Sequence, residues 1–397
     1  MSARLTILSL STIHQDGRVL RQIDFAARAG YDVTVVGWGH LDRNDRPNVT
    51  MRPVKKVMLP PASRIMQAAR MLGGRITSRA FEQWYWAKPD HHQALQAVIA
   101  ARSDLIHVNE AIGLPIAIEA AQRTGAKVLF DAHEYATEHR SDSLAWRLVA
   151  RPFYEYIIRV YAARADAMIT VSEPIARRYE EVFGIPQVEV IHNAPAYRSY
   201  TFRPTQPQHI KLIHHGAAAS ERRLELMIQA LAQTSPRFTM DFMLLPVTPG
   251  YVESLQKEAL RLAPDRITFI SPVPPHAISG VIHNYDVGVF LLEPSTFNHA
   301  MALPNKLFEY IMAGLAVTIS PTPAMKELVE RYGLGVAAAD YSPESLARAI
   351  DSLTPEMIDA MKRHSLEAAK ELNAEHEMAK VLDIYHRILE LHFSPSD

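Results

Sequence analysis

Short runs of β-branched and other apolar residues alternate along the chain with longer segments of helical periodicity. In the first half the apolar runs lie at residues 5–10, 33–38, 105–109, 127–133, 167–172 and 188–193. A second series lies at residues 210–216, 239–245, 267–271, 287–292, 316–320 and 335–339. This alternation is typical of a parallel sheet with helices on both faces. Because the series restarts, the pattern predicts two Rossmann-like α/β domains that face each other across a cleft.

The segment between the two series predicts the domain limits. Residues 194–208 contain Pro195, Pro204 and Pro207 and show no apolar periodicity, which favours an extended linker. We therefore expect an N-terminal domain over residues 1–195, a linker over 196–208 and a C-terminal domain over 209–373. A last helical stretch within 374–397 could pack back on the N-terminal domain.

Composition narrows the possible functions. The 397 residues are 48% hydrophobic and 21% charged, as in folded globular proteins, and the formal net charge of −1 argues against a general nucleic-acid binder. The chain has no cysteine, which excludes disulfides and Cys-ligated zinc and suits a reducing compartment. The apolar run at 5–10 is too short for a signal peptide core or a membrane span. We expect a cytoplasmic protein.

A first candidate site follows the apolar run at 210–216. Gly216 and the small residues after it allow a ligand to approach the backbone. Ser220 is a good N-cap for the next helix, and Arg222 adds positive charge at that helix start, so the segment suits a diphosphate. An ordinary strand-to-helix turn with solvated arginines has the same pattern, and both interpretations stay open.

A second candidate site begins at Pro304, a suitable first-turn residue that follows a polar loop at 294–303. Asn305, Lys306 and Glu309 fall on one face of the predicted helix. First-turn amides there could bind phosphate, and the carboxylate of Glu309 could bind the vicinal hydroxyls of a ribose. The alternative is a surface helix with a Lys306–Glu309 pair.

These residues carry a resemblance to a known family. The sequence PNKLFEYIMAGLAV at 304–317, followed by Pro321 and Glu327, resembles the donor-site signature of the retaining glycosyltransferases of family 4, which have the GT-B fold of two Rossmann-like domains. Other segments agree in the same order, at residues 16–36, 104–110, 129–135, 165–179, 188–194 and 214–231. The resemblance spans almost the whole chain.

The resemblance implies a nucleotide-sugar donor, retention of anomeric configuration and no requirement for a metal or other cofactor. It places Glu309 at the donor ribose, Gly216 under the diphosphate and Arg222 beside it, with Ser220 and Lys306 also in the donor site. Backbone amides near the phosphates are expected from Leu303, Pro304 and Asn305. Two positions depart from the family, since Met301 replaces a second glutamate and Ala217 replaces a common arginine.

On the acceptor side, His133 matches the family's active-site histidine, and we expect it to act with Arg222 and Glu309 in catalysis. Without the resemblance, a structural histidine would be the better interpretation. Glu134 and the turn Asp16, Gly17 and Arg18 are assigned to the acceptor side. His133 and His139 lie too far apart in sequence for an HExxH zinc site, so no metal is expected there.

Residues 55–88 combine strong positive charge with apolar side chains. Seven basic residues stand against only Glu82, among methionine, isoleucine and aromatic residues. Such a stretch suits an anionic membrane surface and a lipid-linked acceptor, whereas a glycan acceptor needs no membrane. The alternative is a basic helix whose apolar face packs on the sheet.

Two other functions stay open at this point. A nucleotide-sugar epimerase of the same fold would process the donor without an acceptor. A non-catalytic GT-B partner protein would keep the fold without turnover, and Met301 and Ala217 favour that interpretation.

Overall fold

The computed structural model describes residues 2–41, 47–57, 61–139, 143–144, 146–301 and 303–393. The chain forms two compact units. The first comprises Met1–Ile191, Thr296–Asn298 and Met378–Asp397, and the second comprises His192–Ser295 and His299–Glu377. None of the helices in these described ranges is long and apolar enough to cross a membrane.

The described residues of the first unit contain one sheet of seven parallel strands. The strands are β1 (Arg4–Thr12), β2 (Asp32–Trp38), β3 (Val49–Pro53), β4 (Leu105–Asn109), β5 (Lys127–Ala132), β6 (Ala167–Thr170) and β7 (Val188–Val190). Their order is β3-β2-β1-β4-β5-β6-β7, so the direction of the chain across the sheet reverses between β1 and β4. Leu5, Ile7 and Leu8 of β1 are completely buried, as expected for a strand covered on both faces.

Helices connect these strands. In the described part of the first unit they are α1 (Gly17–Arg28), α2 (Pro61–Gly73), α3 (Ser78–Trp86), α4 (Pro89–Ala101), α5 (Leu114–Thr124), α6 (Arg151–Tyr161) and α7 (Glu173–Phe183). A π-helical turn, Trp146–Ala150, precedes α6. Helix α1 starts after Asp16 because the Asp16 side chain accepts a hydrogen bond from the Val19 amide at 3.2 Å.

One face of the first sheet is covered partly by the end of the chain. The last helix, Ala374–Phe393, places Met378, Ile384 and Ile388 in the same hydrophobic cluster as Leu5 and other strand residues. Burying these apolar side chains stabilises the unit by the hydrophobic effect.

The second unit repeats the architecture. The strands in its described part are β8 (Ile210–Ala218), β9 (Phe238–Pro246), β10 (Ile267–Ile270), β11 (Val287–Phe290), β12 (Ala316–Ile319) and β13 (Gly335–Ala337). All are parallel and their order is β10-β9-β8-β11-β12-β13, which is the doubly wound order of Rossmann folds. Leu212 belongs to one hydrophobic cluster and Ile213 to another, as the alternation of a strand buried on both faces requires.

Eight further helices precede the last one among the described residues. They are α8 (Glu225–Ala232), α9 (Tyr251–Leu262), α10 (Ile278–Ile282), α11 (Phe297–Met301), α12 (Asn305–Met312), α13 (Pro323–Tyr332), α14 (Pro343–Asp351) and α15 (Pro355–Ala368). Helix α12 follows β11 after a segment that contains the short helix α11, where the sequence predicts only a loop.

The prediction of two Rossmann-like α/β domains is confirmed, and a strand overlaps every apolar run named above. Strand β3 was not predicted. The helix expected to begin at Ser220 begins at Glu225 instead, because residues Ser220–Arg222 form a 3-10 turn and Arg223 has φ of 50°. The prediction of Ser220 as a helix N-cap is therefore wrong.

The segment that joins the two strand series packs within the second unit. Every residue from 191 to 209 is described, and none lies in a helix or strand. The Thr205 amide donates to Asp359 at 2.8 Å, and the guanidinium of Arg363 lies 3.5 Å from the centre of the Phe202 ring. The domain limits at 195, 208 and 373 stay predictions, and the expected helix 374–397 ends outside the described residues.

Candidate active site

In the second unit the predicted donor residues gather at the carboxyl ends of β8 and β11. These two strands lie where the strand order reverses, which is the usual ligand position in an open α/β sheet. Gly216, near the end of β8, has φ of 130°, a conformation that side chains disfavour. Helix α12 begins beside Gly216, and the side chain of Lys306 near its start lies against the face of Gly216 that has no side chain.

Lys306 is the central feature of this group. Its side chain is buried, and a Cβ atom on Gly216 would lie only 3.2 Å from its Nζ atom. Nζ is also 3.5 Å from Nε2 of His214 and 4.5 Å from the centre of the Phe290 ring. In the ranges that the structure describes, no carboxylate oxygen lies within 4.0 Å of Nζ. Among the described residues, the buried amino group of Lys306 therefore has no ion-pair partner.

The electrostatics follow from this arrangement. Burial and then the charge of Arg222 lower the pKa of Lys306 to about 7, against the opposing charge of Glu309. Burial and Lys306 lower the pKa of His215 to about 3, and the pKa of His214 falls well below its ordinary value for the same reasons. Both imidazoles are therefore uncharged at neutral pH. An anion bound beside Lys306 would favour the charged form of its side chain.

Glu309 lies one helical turn after Lys306 and remains partly exposed. Its Oε2 atom is 3.3 Å from Nε2 of His215. Because His215 is uncharged at neutral pH, this contact is not an ion pair. Gly288 is needed beneath this helix, since a Cβ there would lie 2.4 Å from the ring of Tyr310. Glu309 is thus held on a helix that packs directly on β11.

The other predicted donor residues lie nearby with different roles. Arg222 is partly exposed and close enough for its charge to act on Lys306. Ser220 is exposed, and its amide donates to Thr248 Oγ1 at 3.1 Å. Asn305 is exposed and accepts from Asn193 at 2.7 Å.

The amide donors at the start of α12 need one correction. Leu303 is buried and Pro304 precedes the first helical residue. Pro304 has no N–H, so the expectation of an amide donor there is wrong. Asn305 and Lys306 are the first two helical residues, and their amides have no acceptor within the helix. These two amides are the donors available to a phosphate.

In the first unit a buried carboxylate occupies the end of β5. Arg18 donates two hydrogen bonds to Asp131, at 2.7 and 2.9 Å, and a third to the Ile191 carbonyl at 2.9 Å. Gln22 donates to Asp131 at 2.7 Å. Burial alone would raise the pKa of Asp131, but the charge of Arg18 and a contribution from His133 hold it well below its usual range. Asp131 is thus an ionised and fully compensated side chain.

His133 follows β5 in a loop that is firmly held. Nε2 of His133 is 2.8 Å from Oδ1 of Asn109. The Thr170 hydroxyl donates to the Ala132 carbonyl at 2.7 Å, and the buried Tyr179 hydroxyl donates to the Glu134 carbonyl at 2.8 Å. The imidazole of His133 is 19% exposed, so it can reach a bound molecule.

A pocket of about 110 Å³ lies beside His133. Its walls also include Glu110, Glu134, His139 and Tyr154, and Oε1 of Glu110 lies 3.9 Å from Nδ1 of His133. Glu110 has φ of 61° and ψ of 149°, a strained conformation that is essentially restricted to glycine and is commonest at functional sites. Burial raises the pKa of Glu110, and Asp16 and Glu134 add to this effect.

The four residues predicted for the acceptor side lie in different surroundings in the first unit, and their assignment stays a prediction. Glu134 lines the pocket. Asp16 caps α1, and Gly17 is the first residue of that helix. The guanidinium of Arg18 forms a salt bridge with Asp131. Arg18 therefore supports the site from behind.

Several site residues were not singled out from the sequence. They are Gln22, Asn109, Glu110, Asp131, His214 and His215. Asn109, Glu110 and Asp131 lie at or beside the carboxyl end of a strand, which is the signal that could have found them, whereas His214 and His215 lie inside β8. Within the described ranges, no group of three or more histidine or acidic side chains is placed to hold a metal ion.

Two family models match the chain and together cover most of it. The model for the glycosyl transferase 4-like domain matches residues 18–194, and the model for glycosyl transferases group 1 matches residues 209–355. The chain belongs to the group 1 glycosyltransferases. No curated protein matches this glycosyltransferase in sequence.

Solved structures resemble the glycosyltransferase over its whole length. HepE from Anabaena, in a complex with UDP and glucose, is 15% identical, with a TM-score of 0.66 over 97% of this chain and 100% of that one. Sucrose-phosphate synthase from Thermosynechococcus elongatus is 16% identical, with a TM-score of 0.70 over 98% and 100%. A UDP-forming α,α-trehalose-phosphate synthase from Burkholderia vietnamiensis is 12% identical, with a TM-score of 0.63 over 100% of both chains. These likenesses show the GT-B fold.

Proposed function

We propose that the enzyme transfers a sugar from a nucleoside-diphosphate donor to a glycan or lipid-linked acceptor, with retention of anomeric configuration and without a metal. The observation that carries the proposal is the buried ammonium of Lys306, set against Gly216 at the end of β8 with Glu309 one turn further along. A buried ammonium that has no direct ion pair in the described part of the chain, beside two helix-start amides, favours a diphosphate.

The donor would occupy this site in one orientation. Its phosphates would lie against Lys306, Arg222 and the amides of Asn305 and Lys306, and its ribose hydroxyls would bind the carboxylate of Glu309. The solved complexes of HepE with UDP and with UDP-glucose support a uridine donor as the first one to test.

The chemistry would use the same positive groups. As the bond between the anomeric carbon and the diphosphate oxygen breaks, its electron pair leaves with the diphosphate. Lys306 and Arg222 stabilise this growing negative charge, and losing one such preorganised group typically costs about 10²- to 10³-fold in rate. The acceptor hydroxyl forms the new bond on the same face and passes its proton to the departing diphosphate. We propose that the pocket beside His133 serves the reacting sugars.

Binding and transfer assays on two variants test the proposal. Glu309→Ala should weaken binding of UDP strongly, measured by calorimetry. His133→Ala should leave UDP binding in place and abolish transfer from UDP-glucose to acceptor sugars. Unchanged affinity in Glu309→Ala would refute the ribose assignment. Isomerised sugar formed from donor alone would favour an epimerase instead, and loss of transfer in a metal chelator would refute metal independence.

A lipid-linked acceptor is supported by the surface of α2, α3 and the turn between them. Met66 and Leu72 are about half exposed and Ile76 is 91% exposed, beside exposed Arg75 and Arg79. The other apolar face of the predicted stretch is packed, since Phe81 and Tyr85 are buried. Exposed apolar side chains among arginines suit an anionic bilayer. Residues 58–60 of the predicted 55–88 stretch lie outside the described residues.

Sedimentation with vesicles tests this surface. At low salt, vesicles rich in anionic lipid should retain the protein, and Ile76→Ser with Arg75→Gln and Arg79→Gln should release it. Leu260→Ser, which changes a 75% exposed side chain on α9, is the control and should not release it. If the protein does not sediment with such vesicles, the result would favour a soluble glycan acceptor.

A further inference from the structure

A chain of hydrogen bonds connects the buried Asp131 to His133. Nε2 of Gln22 donates to Oδ2 of Asp131 at 2.7 Å. Nδ2 of Asn109 donates to Oε1 of Gln22 at 3.0 Å, and Oδ1 of Asn109 lies 2.8 Å from Nε2 of His133. The three residues behind His133 are at most 2% exposed, so water does not compete for these bonds.

The carboxylate sets the direction of every bond in this chain. An ionised carboxylate can only accept, so Gln22 must turn its NH₂ group towards Asp131 and its oxygen towards Asn109. That oxygen also can only accept, so Asn109 turns its own NH₂ group towards Gln22. The remaining oxygen of Asn109 faces His133. Nε2 of His133 must therefore carry the proton.

The opposite tautomer would break the chain at some point. With the proton on Nδ1, the lone pair of Nε2 would face the Asn109 oxygen. Rotating the Asn109 amide would bring its oxygen against the oxygen of Gln22, and rotating Gln22 as well would bring the Gln22 oxygen against the Asp131 carboxylate. Each arrangement leaves buried polar groups unsatisfied or repelling each other, which is costly.

The tautomer decides what His133 presents to the pocket. A neutral imidazole has one N–H and one lone pair, so with the proton on Nε2 the lone pair is on Nδ1. Nδ1 is the atom nearer the Glu110 carboxylate, at 3.9 Å, and both residues line the pocket. The pocket therefore meets a hydrogen-bond acceptor on His133.

We propose that Gln22 and Asn109 are positioning residues that hold His133 in the Nε2–H tautomer, so that Nδ1 accepts a hydrogen bond from a hydroxyl group of the substrate. The identification of the partner as a substrate hydroxyl rests on the proposed sugar transfer, whereas the tautomer follows from the hydrogen-bond chain alone. Gln22 and Asn109 act through His133 and do not contact the substrate.

Nitrogen-15 NMR of the histidine-labelled protein tests the tautomer directly. In spectra recorded at alkaline pH, the ring nitrogens of the neutral form of His133 should show protonated Nε2 and unprotonated Nδ1. His133→Gln identifies the signal by its loss. A protonated Nδ1 in the unmodified protein would overturn the inference, and this result needs no variant of the buried chain to fold.

Gln22→Met tests the role of the chain in positioning. It removes the amide and keeps the side-chain length, so we expect a mixture of tautomers and a fall in kcat of about 10- to 100-fold, the loss typical when a partner that orients a histidine is removed. KM for the nucleotide-sugar should change little. Gln229→Met on α8, which removes a 2.8 Å bond to Glu258 on α9, should leave kcat and the His133 signal unchanged.

The outcomes separate the two claims. If Gln22→Met keeps both the Nε2–H tautomer and full kcat, the positioning role is wrong. If unmodified protein shows the Nε2–H tautomer but transfers no sugar from any nucleotide donor, the proposed function fails while the tautomer assignment stands.

Discussion

Each unit buries a charged side chain at the carboxyl edge of its sheet, but the two charges have opposite surroundings. Asp131 in the first unit is completely buried and receives three hydrogen bonds from Arg18 and Gln22. Lys306 in the second unit is 7% exposed, and its Nζ atom lies near the uncharged His214 and the Phe290 ring, with no ion pair among the described residues.

The difference separates charge that supports the fold from charge that is available to a ligand. Once a buried ion pair exists, removal of one partner leaves an isolated charge and is strongly destabilising. A buried cation with no counter-charge lowers stability instead, and a strongly perturbed pKa in such a place is typical of functional sites. We therefore expect substitutions at the first charge to affect stability and those at the second to affect ligand binding.

The largest effect is expected at Arg18. Arg18→Met leaves Asp131 buried without its main partner, so the free energy of unfolding should fall by about 3–5 kcal/mol. Urea denaturation measures this loss. The control is Arg123→Met, which removes an exposed pair with Glu119 at 2.6 Å and should change stability little. Equal effects of the two substitutions would contradict the structural role of the buried pair.

The next effect is expected at Lys306. Lys306→Met should lower nucleotide-sugar affinity by about 10- to 100-fold, since a hydrogen bond to a charged group contributes roughly 1.5–3 kcal/mol. The free energy of unfolding of the ligand-free protein should stay the same or rise, because a desolvated charge is removed. Calorimetry and urea denaturation measure the two quantities.

Lys326→Met, at an exposed position of α13, is the control for Lys306 and should alter neither quantity. If Lys306→Met destabilises the protein as much as Arg18→Met does, the contrast between the two buried charges is wrong.

A smaller effect is expected from a pair of glycines. Gly216 and Gly125 both have positive φ, but a Cβ on Gly125 meets nothing within 4 Å. Alanine at either position should lower stability by about 1–2 kcal/mol through backbone strain. Only Gly216→Ala should also weaken nucleotide-sugar binding, because its methyl group lies against Nζ of Lys306. Equal binding by both variants would place the phosphates elsewhere.

The fold could be predicted from the sequence because nearly every buried strand is a continuous apolar run. Strand β3 was not predicted because it lies at the sheet edge and only Val49 among its residues is buried, so its sequence shows neither an apolar run nor an alternation. The start of α8 was misplaced because Arg223 adopts a positive φ that its residue type does not signal.

The site was predicted only in part, for a different reason. Helical spacing places Lys306 and Glu309 on one side of α12, but it does not show that Lys306 is covered by β8 and Phe290. Likewise, Gln22 and Asp131 are 109 residues apart, and their contact depends on the way α1 packs beside β5. Local patterns identify the residues of one element, whereas their burial and partners depend on the tertiary fold.

The state of Lys306 has a consequence for pH dependence. Its pKa of about 7 in the folded protein lies below its ordinary value of 10.5, so between these values the folded state holds fewer protons than the unfolded state. Its contribution to stability therefore increases as pH rises through this window. A bound diphosphate favours the charged form, so donor affinity should be constant below about pH 7 and fall above it by up to about tenfold per pH unit.

Proton uptake on donor binding shows whether Lys306 becomes charged against the diphosphate. At about pH 8, calorimetric titration with UDP-glucose in two buffers of different ionisation enthalpy counts the protons bound with each donor. Both phosphates of this donor are esterified, so its own titration does not interfere near neutral pH. We expect uptake of close to one proton per site, lost in Lys306→Met. Binding without proton uptake, or with equal uptake in Lys306→Met, would contradict this expectation.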